Sequence, residues 1–427
     1  MPGTIQSFNN MLKKYMPYDL LMEEIMKRDY FLTKVEKVQN WMGGEMQVPF
    51  LGGAASSYAY GQLTAIDDIT EQRNVLGTVP GYKEIWGSML FNDSDLARHG
   101  SMEQSFIKIL PDQLEMFIDS MKQAVSVNLL NGAHIVVLDP AAAASNLVTG
   151  VVVVNRPARM IIGQFLEMGV VGTNKAAGLP AAGVYVKEIS IDDKTIVVTE
   201  DAAFTTPVDL SGTGINILAG DRAFIRGATV AGCAFTSLRD QLLSPSIPGG
   251  GLATQFGISK SLYPYLQAPN FDGSGMSATT ILSDIFGFQT ETRTLGKGNP
   301  NEVIMSYKNL GAVMALLESN VQYTSQQPKT NAYGWTEIDI IGVTGTLKVV
   351  GILEMDDDIM FIMDWRALKL YSNGFFERRE SPDGNQYYEQ RVAGPNGGYK
   401  YITDTRFFGE LVVDRPSYCG VIHTIDF

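Results

Sequence analysis

The chain has 427 residues, 45% of them apolar, which is ample for a sizeable core. Only 19% are charged, and 33 basic residues stand against 46 acidic ones for a net charge of -13. That balance excludes a basic nucleic-acid coat, which needs clustered Lys and Arg. The low charge leaves much neutral surface suited to burial against other subunits.

Cys233 and Cys419 have no CxxC spacing, so they make neither a disulfide scaffold nor a zinc ribbon. Both read as buried thiols of a cytosolic protein. The first residues lack the apolar stretch of a signal peptide, and no window offers the roughly 18 unbroken apolar residues of a membrane span. The expectation is a soluble protein without a membrane partner.

Residues 1–42 are predicted as a helical arm, with Leu21, Ile25, Leu32, Val35 and Val38 at helical spacing. Two readings stay open: an amphipathic helix packed on its own domain, or an arm reaching a neighbour. After Gly43-Gly44 the period changes. Met46, Val48 and Phe50 alternate with polar residues as in a half-buried strand. Residues 52–77 show no core periodicity, and a second extended run spans Tyr82 to Phe91. The expectation is a long protruding hairpin without a core of its own. It would carry Tyr58, Tyr60 and Trp86 to another molecule.

Ser101 to Gln104 spells a capping box, and Pro111 predicts that the main helix begins or kinks there. Leu114, Phe117, Ile118, Met121, Val125 and Leu129 share one face, and Asn131-Gly132 supplies the stop. From His134 to Gly227 short β-branched runs alternate with turns, including Asp192-Asp193-Lys194, and predict a small β-barrel or sandwich. Helices are expected at 237–243, 278–287 and after Ser306. Strands are expected at 302–305, 337–341, 346–353 and 359–363, with extended chain over 410–427. This mixture is α+β.

Chemistry is sparse. His99, His134 and His423 have no metal-ligand spacing, and each reads as structural. No P-loop, dinucleotide fingerprint or nucleophile elbow occurs. No catalytic, cofactor-binding or metal-ligating residue is assigned, and no cofactor is expected. The acidic run Glu354-Met355-Asp356-Asp357-Asp358 offers hard oxygen ligands for a divalent cation but lacks the spacing of a calcium loop. A solvated turn ahead of the apolar strand Ile359 to Met363 is the expected reading.

In order along nearly the whole chain, several strings resemble the HK97-fold major capsid proteins of tailed bacteriophages. GEMQVPF and KEIWGSMLFNDSDL resemble the two sides of that family's E-loop. SMEQSFIKILPDQLEMFIDSMKQAVSVNLLNG resembles its spine helix. GLATQFGISKSLYPYLQAP resembles the stretch where relatives carry a GI(D)RSxYP-like string, with Ser259 and Lys260 departing from the commonest residues. NEVIMSYKNLGAVMALLES resembles the strand-helix unit of the A domain, and DRPSYCGVIHTI the closing P-domain strand.

The resemblance implies an HK97-like α+β fold with this division: 1–42 N-terminal arm, 43–98 E-loop, 99–159 P domain with spine helix. It continues with 160–230 as an inserted small β-barrel-like domain, 231–405 as the A domain with returning P-domain segments, and 406–427 as the closing P-domain strand. It implies a non-enzymatic capsid protein, assembled in the host cytoplasm into hexamers and pentamers of an icosahedral virion head. That head would enclose double-stranded DNA without sequence-specific binding. Leu21, Ile25, Phe50, Tyr58, Tyr60 and Trp86 are the candidate inter-subunit contacts. Little chain precedes the ribbon, so the expectation is a separate scaffolding protein, or an arm that does the same job, beside a portal and a decoration protein. Residues 44–82 contain no lysine. No Lys–Asn crosslink through that loop is therefore expected, and particles boiled in SDS should release 46.7 kDa monomers, not a ladder. An encapsulin-type nanocompartment shell is the alternative within the fold, and a multidomain β-rich hydrolase the alternative outside it.

Overall fold

The computed structural model describes residues 25–39, 41, 44–51, 74–81, 83–92, 102–132, 134–170, 173–179, 182–211, 215–218, 221–228, 234–247, 251–296, 298–320, 329–330, 336–342, 345–378, 388–391 and 399–425. The expected contact residues Leu21, Tyr58 and Tyr60 lie outside these, as do His99, Cys233 and the Ser101 cap.

A seven-stranded sheet forms the centre. Its order is Asn270–Asp272, Gly420–His423, Ile359–Met363, Glu302–Met305, Gly345–Gly351, Thr336–Gly342 and Lys329–Thr330. Alternate residues of one strand enter different cores. Met360 and Ile362 join Val303, Met305 and the helices Ile281–Gly296 and Tyr307–Asn320. Ile359, Phe361 and Met363 join the main core on the opposite face. Both faces are covered, which is why IMFIM is apolar at every position.

The main core is closed by the long helix Met102–Asn131, whose 30 residues span about 45 Å at 1.5 Å per residue. Phe117, Ile118, Met121, Val125 and Leu129 are all buried, as their spacing predicts. The helix runs through Pro111 instead of starting there; a proline removes one hydrogen bond from the ladder and can kink a helix without ending it.

Residues 25–38 belong to this core. Ile25, Phe31 and Leu32 are fully buried, and the helix Tyr30–Lys34 is capped by the Asp29 carboxylate, which accepts from Leu32 N at 2.7 Å. The predicted helical pattern does not continue through Val38. Glu36–Val38 is a strand, paired in parallel with Leu368–Tyr371. Of the two readings for the arm, this part packs on its own domain.

The ribbon differs from expectation in its pairing. Met46–Leu51 pairs with Asn74–Val79, whereas Lys83–Asn92 pairs over ten positions with the strand Tyr399–Val413. The ribbon base also has a core. Val48, Phe50 and Val79 pack with Trp41, Phe256, Ile258 and Leu266. Phe256 and Gly257 both have positive φ, 48° and 84°, at the turn between the short strands Thr254–Gln255 and Ile258–Ser259. That strained turn stacks the Phe256 ring on Phe50, with centroids 6.0 Å apart.

Strands between His134 and Ile225 close on themselves. Arg222–Ile225 pairs with His134–Asp139, then Val151–Val154, Thr195–Thr199, Val184–Ser190 and Phe165–Val170, which pairs back to Arg222–Ile225. The ring surrounds its own apolar core, including Val136, Val152, Leu166, Val186 and Ile196. Two of its strands precede residue 160, the expected start of the β-rich insertion, because the ring cannot close without them.

Candidate functional site

Two features stand out: an open sheet face and a buried polar joint. The sheet face follows from strand alternation. Ile85, Gly87 and Met89 turn toward Phe117 and Met121 of the long helix. Glu84, Trp86 and Ser88 therefore face away from it. Trp86 is 45% exposed. Directly opposite in register, the Arg406 guanidinium lies 5.5 Å from the Trp86 ring centroid and 4.9 Å from that of Phe408. Arg406 also donates to Glu84 Oε1 at 2.7 Å and to Glu377. Ser88 donates to Asp404 at 2.6 Å. The result is a face with an exposed Trp86 and a charged rim, beside a partly buried Arg406 and a buried Phe408.

Of the other expected contacts, Ile25 and Phe50 are fully buried inside the chain. They have no surface to offer a neighbour and serve the main core and the ribbon base instead. At the edge beside Tyr399–Val413, Lys83 Nζ lies 3.3 Å from Glu410, a completely buried carboxyl whose titration burial pushes upward, against the opposing Lys83 charge.

The joint is the acidic run. It is not a solvated turn. Asp356 is 1% exposed; its Oδ1 accepts from Arg159 Nη1 at 2.8 Å and its Oδ2 lies 3.1 Å from His134 Nε2. Arg239 Nη1 stands 3.7 Å from the same Oδ2 and its Nη2 donates to Asp358 at 2.9 Å. Arg156 donates to Leu353 O at 2.8 Å and to Asp357 at 2.5 Å. Lys122 of the long helix pairs with Glu354 at 3.4 Å. All three aspartates are thus engaged by arginine, and among the described residues no group of His, Cys, Asp and Glu is arranged to hold a metal ion.

The tautomer of His134 follows from its neighbours. Arg222 Nη1 lies 3.3 Å from His134 Nδ1. A guanidinium can only donate, so Nδ1 accepts and Nε2–H donates to Asp356. Burial, then the Arg222 charge, holds His134 below its ordinary pKa. Burial disfavours an ionised Asp356, but the His134 hydrogen bond and the charges of Arg159 and Arg239 outweigh it and hold that carboxyl well below the usual range. His134 is structural, as expected, within a network that its sequence neighbourhood does not reveal.

The remaining cysteine in view, Cys419, is buried, and desolvation pushes its thiol up to about 12. Among the described residues no helix is long and apolar enough to cross a membrane.

No protein-family model and no curated protein matches the sequence. Solved structures similar to this chain include phage capsids and an encapsulin complex. The cyanophage A-1(L) capsid asymmetric unit is 11% identical with a TM-score of 0.46, covering 92% of this chain and 91% of that one. The satellite phage P4 procapsid is 11% identical with a TM-score of 0.39, covering 99% and 97%. The holo-SrpI encapsulin complex from Synechococcus elongatus PCC 7942 is 8% identical with a TM-score of 0.34, covering 95% and 89%.

Proposed function

We propose that this chain is a non-enzymatic shell-forming subunit, and that the shell is the head of a tailed bacteriophage enclosing double-stranded DNA. One observation carries the reading. The ten-pair sheet of Lys83–Asn92 and Tyr399–Val413 is backed by the long helix on one face and presents the 45% exposed Trp86 on the other, with Arg406 opposite it in register. An antiparallel sheet covered on one side is stable in water, but an exposed Trp braced by a guanidinium marks a face suited to a partner. The neighbouring two-stranded ribbon packs its base on the body through Val48, Phe50 and Val79 and turns the 58% exposed Leu76 outward. Low charge and the order of elements from ribbon to long helix to central sheet agree with the HK97-like resemblance.

On this reading Trp86 contacts a sister subunit, and Leu21, Tyr58 and Tyr60 are proposed to do the same. The ring of strands is the inserted barrel. Subunits form hexamers and pentamers in the host cytoplasm, with a scaffolding protein, a portal and a decoration protein as partners. The encapsulin reading shares these features, and cargo found inside purified particles would favour it. Size-exclusion chromatography with negative-stain microscopy tests the proposal. Closed particles in the megadalton range are expected. A chain that elutes at 46.7 kDa at every concentration overturns it.

A further inference from the structure

The ring of strands between His134 and Ile225 meets the body through polar groups. Its apolar core shares no side chain with the main core. Beside the long helix the seam holds a groove of about 50 Å³, with Gln123 and Ala124 on the helix side and Ile161 and Ile225 on the ring side. Apolar packing is nondirectional, and across such a seam it does not select one angle. The directional bonds converge instead on the turn 353–358. From the ring come Arg156 to Leu353 O and Asp357, Arg159 to Asp356 and to Glu354 O at 2.7 Å, and His134 to Asp356. From the body, Asn131 donates to Glu354 O at 2.5 Å, and Asn309 donates to Asp357 O at 3.0 Å. Arg239 of the short helix Leu238–Leu242 closes the set.

We propose that the turn 353–358 is a polar latch that fixes the orientation of the β-ring on the body, with Asp356 as its bolt, and that opening it lets the ring swing as an intact unit. Asp356 suits this role because one buried carboxylate accepts from the Arg159 guanidinium and the His134 imidazole of the ring and faces the Arg239 guanidinium of the body. Without its charge, Arg159 loses its carboxylate partner and Arg239 keeps only Asp358 at the rim, while the ring keeps every strand pair and its whole apolar core. The inference does not depend on the shell reading.

The test labels Ile191→Cys on the ring and Leu295→Cys on the helix Ile281–Gly296, both largely exposed, in full-length chain with Cys233→Ser. Cys419 stays unlabelled because it is buried. Spin-labelled chain diluted into unlabelled chain is measured by double electron–electron resonance, with hydrogen exchange in parallel. With Asp356→Asn, the single distance should broaden or shift, while exchange in strands 165–170, 184–190 and 195–199 stays within about twofold of the parent. An unchanged distance overturns the latch. So does ring exchange that accelerates tenfold or more, since Asp356 would then support folding instead of orientation. Where Asp356→Asn yields no folded chain, Arg156→Gln, which breaks the half-exposed rim pair with Asp357, is judged by the same two criteria.

Discussion

Asp29 shows how burial turns a helix cap into a pH-dependent liability. Its carboxylate caps the Tyr30–Lys34 helix, yet the residue is 2% exposed. Desolvation, aided by the Glu354 charge, raises its pKa from 3.8 to about 7. The unfolded chain releases this proton near pH 3.8, whereas the folded chain holds it until about 7. The contribution to stability is therefore complete below pH 3.8 and is lost as pH rises toward 7. Asn caps equally well without a charge to desolvate. Asp29→Asn should flatten the fall in stability between about pH 4 and 7 relative to the parent, and at pH 8 it should be at least as stable. Denaturant midpoints of both chains across that range decide the matter; parallel pH profiles would show that the buried carboxyl is not responsible. The acidic run makes a related point about sequence reading. Its composition suggested a solvated turn because each partner is remote, Arg239 by 119 positions and His134 by 222. A window that sees only neighbours reads four carboxylates within five positions as surface.

At the scale of elements, legibility tracked whether one face of an element did one job. The long helix and the strands Glu302–Met305 and Ile359–Met363 were visible because apolar residues recur with the period of the structure or fill it completely. The strand Asn74–Val79 was hidden because its inward positions include Gly77 while its outward position Leu76 is 58% exposed, which inverts the usual alternation. The glycine is there because Phe50 lies over it: a Cβ at Gly77 would stand 2.5 Å from the Phe50 ring and 3.1 Å from Ile258. Helical spacing likewise overreached into Glu36–Val38, where pairing with Leu368–Tyr371 overrides it. The open face around Trp86 was legible only as an exposed aromatic. Its brace, Arg406, lies 322 positions from Glu84 and entered through pairing. The packing gives a direct prediction. Gly77→Val must push the Phe50 ring out of its place, at a cost on the order of 1–3 kcal/mol for overpacking. Amides of Met46–Leu51 should then exchange roughly fivefold to a hundredfold faster while those of Ile359–Met363 do not change. Equal effects in both strands would mean that the ribbon base is not a separate packing unit.

For the whole molecule the balance to consider is between neutral contact surface and like charge. Each chain carries a net charge of -13, and the shell proposed above would crowd many such chains together. Their mutual repulsion opposes assembly and is long-ranged at low salt, with a Debye length of about 30 Å at 0.01 M that shrinks to about 10 Å at 0.1 M. Contacts built from Trp86 and neighbouring apolar surface are nearly indifferent to that screening. Assembly should therefore become faster and more complete as sodium chloride rises from about 0.01 to 0.3 M, and light scattering at fixed protein concentration measures it. Lowering pH toward the sequence pI of 4.8 should act in the same direction, because it removes net negative charge. The opposite salt response, with particles dissolving as the ionic strength climbs, would assign the subunit contacts to exposed ion pairs such as Arg406 with Glu377, and would remove Trp86 from the centre of the interface.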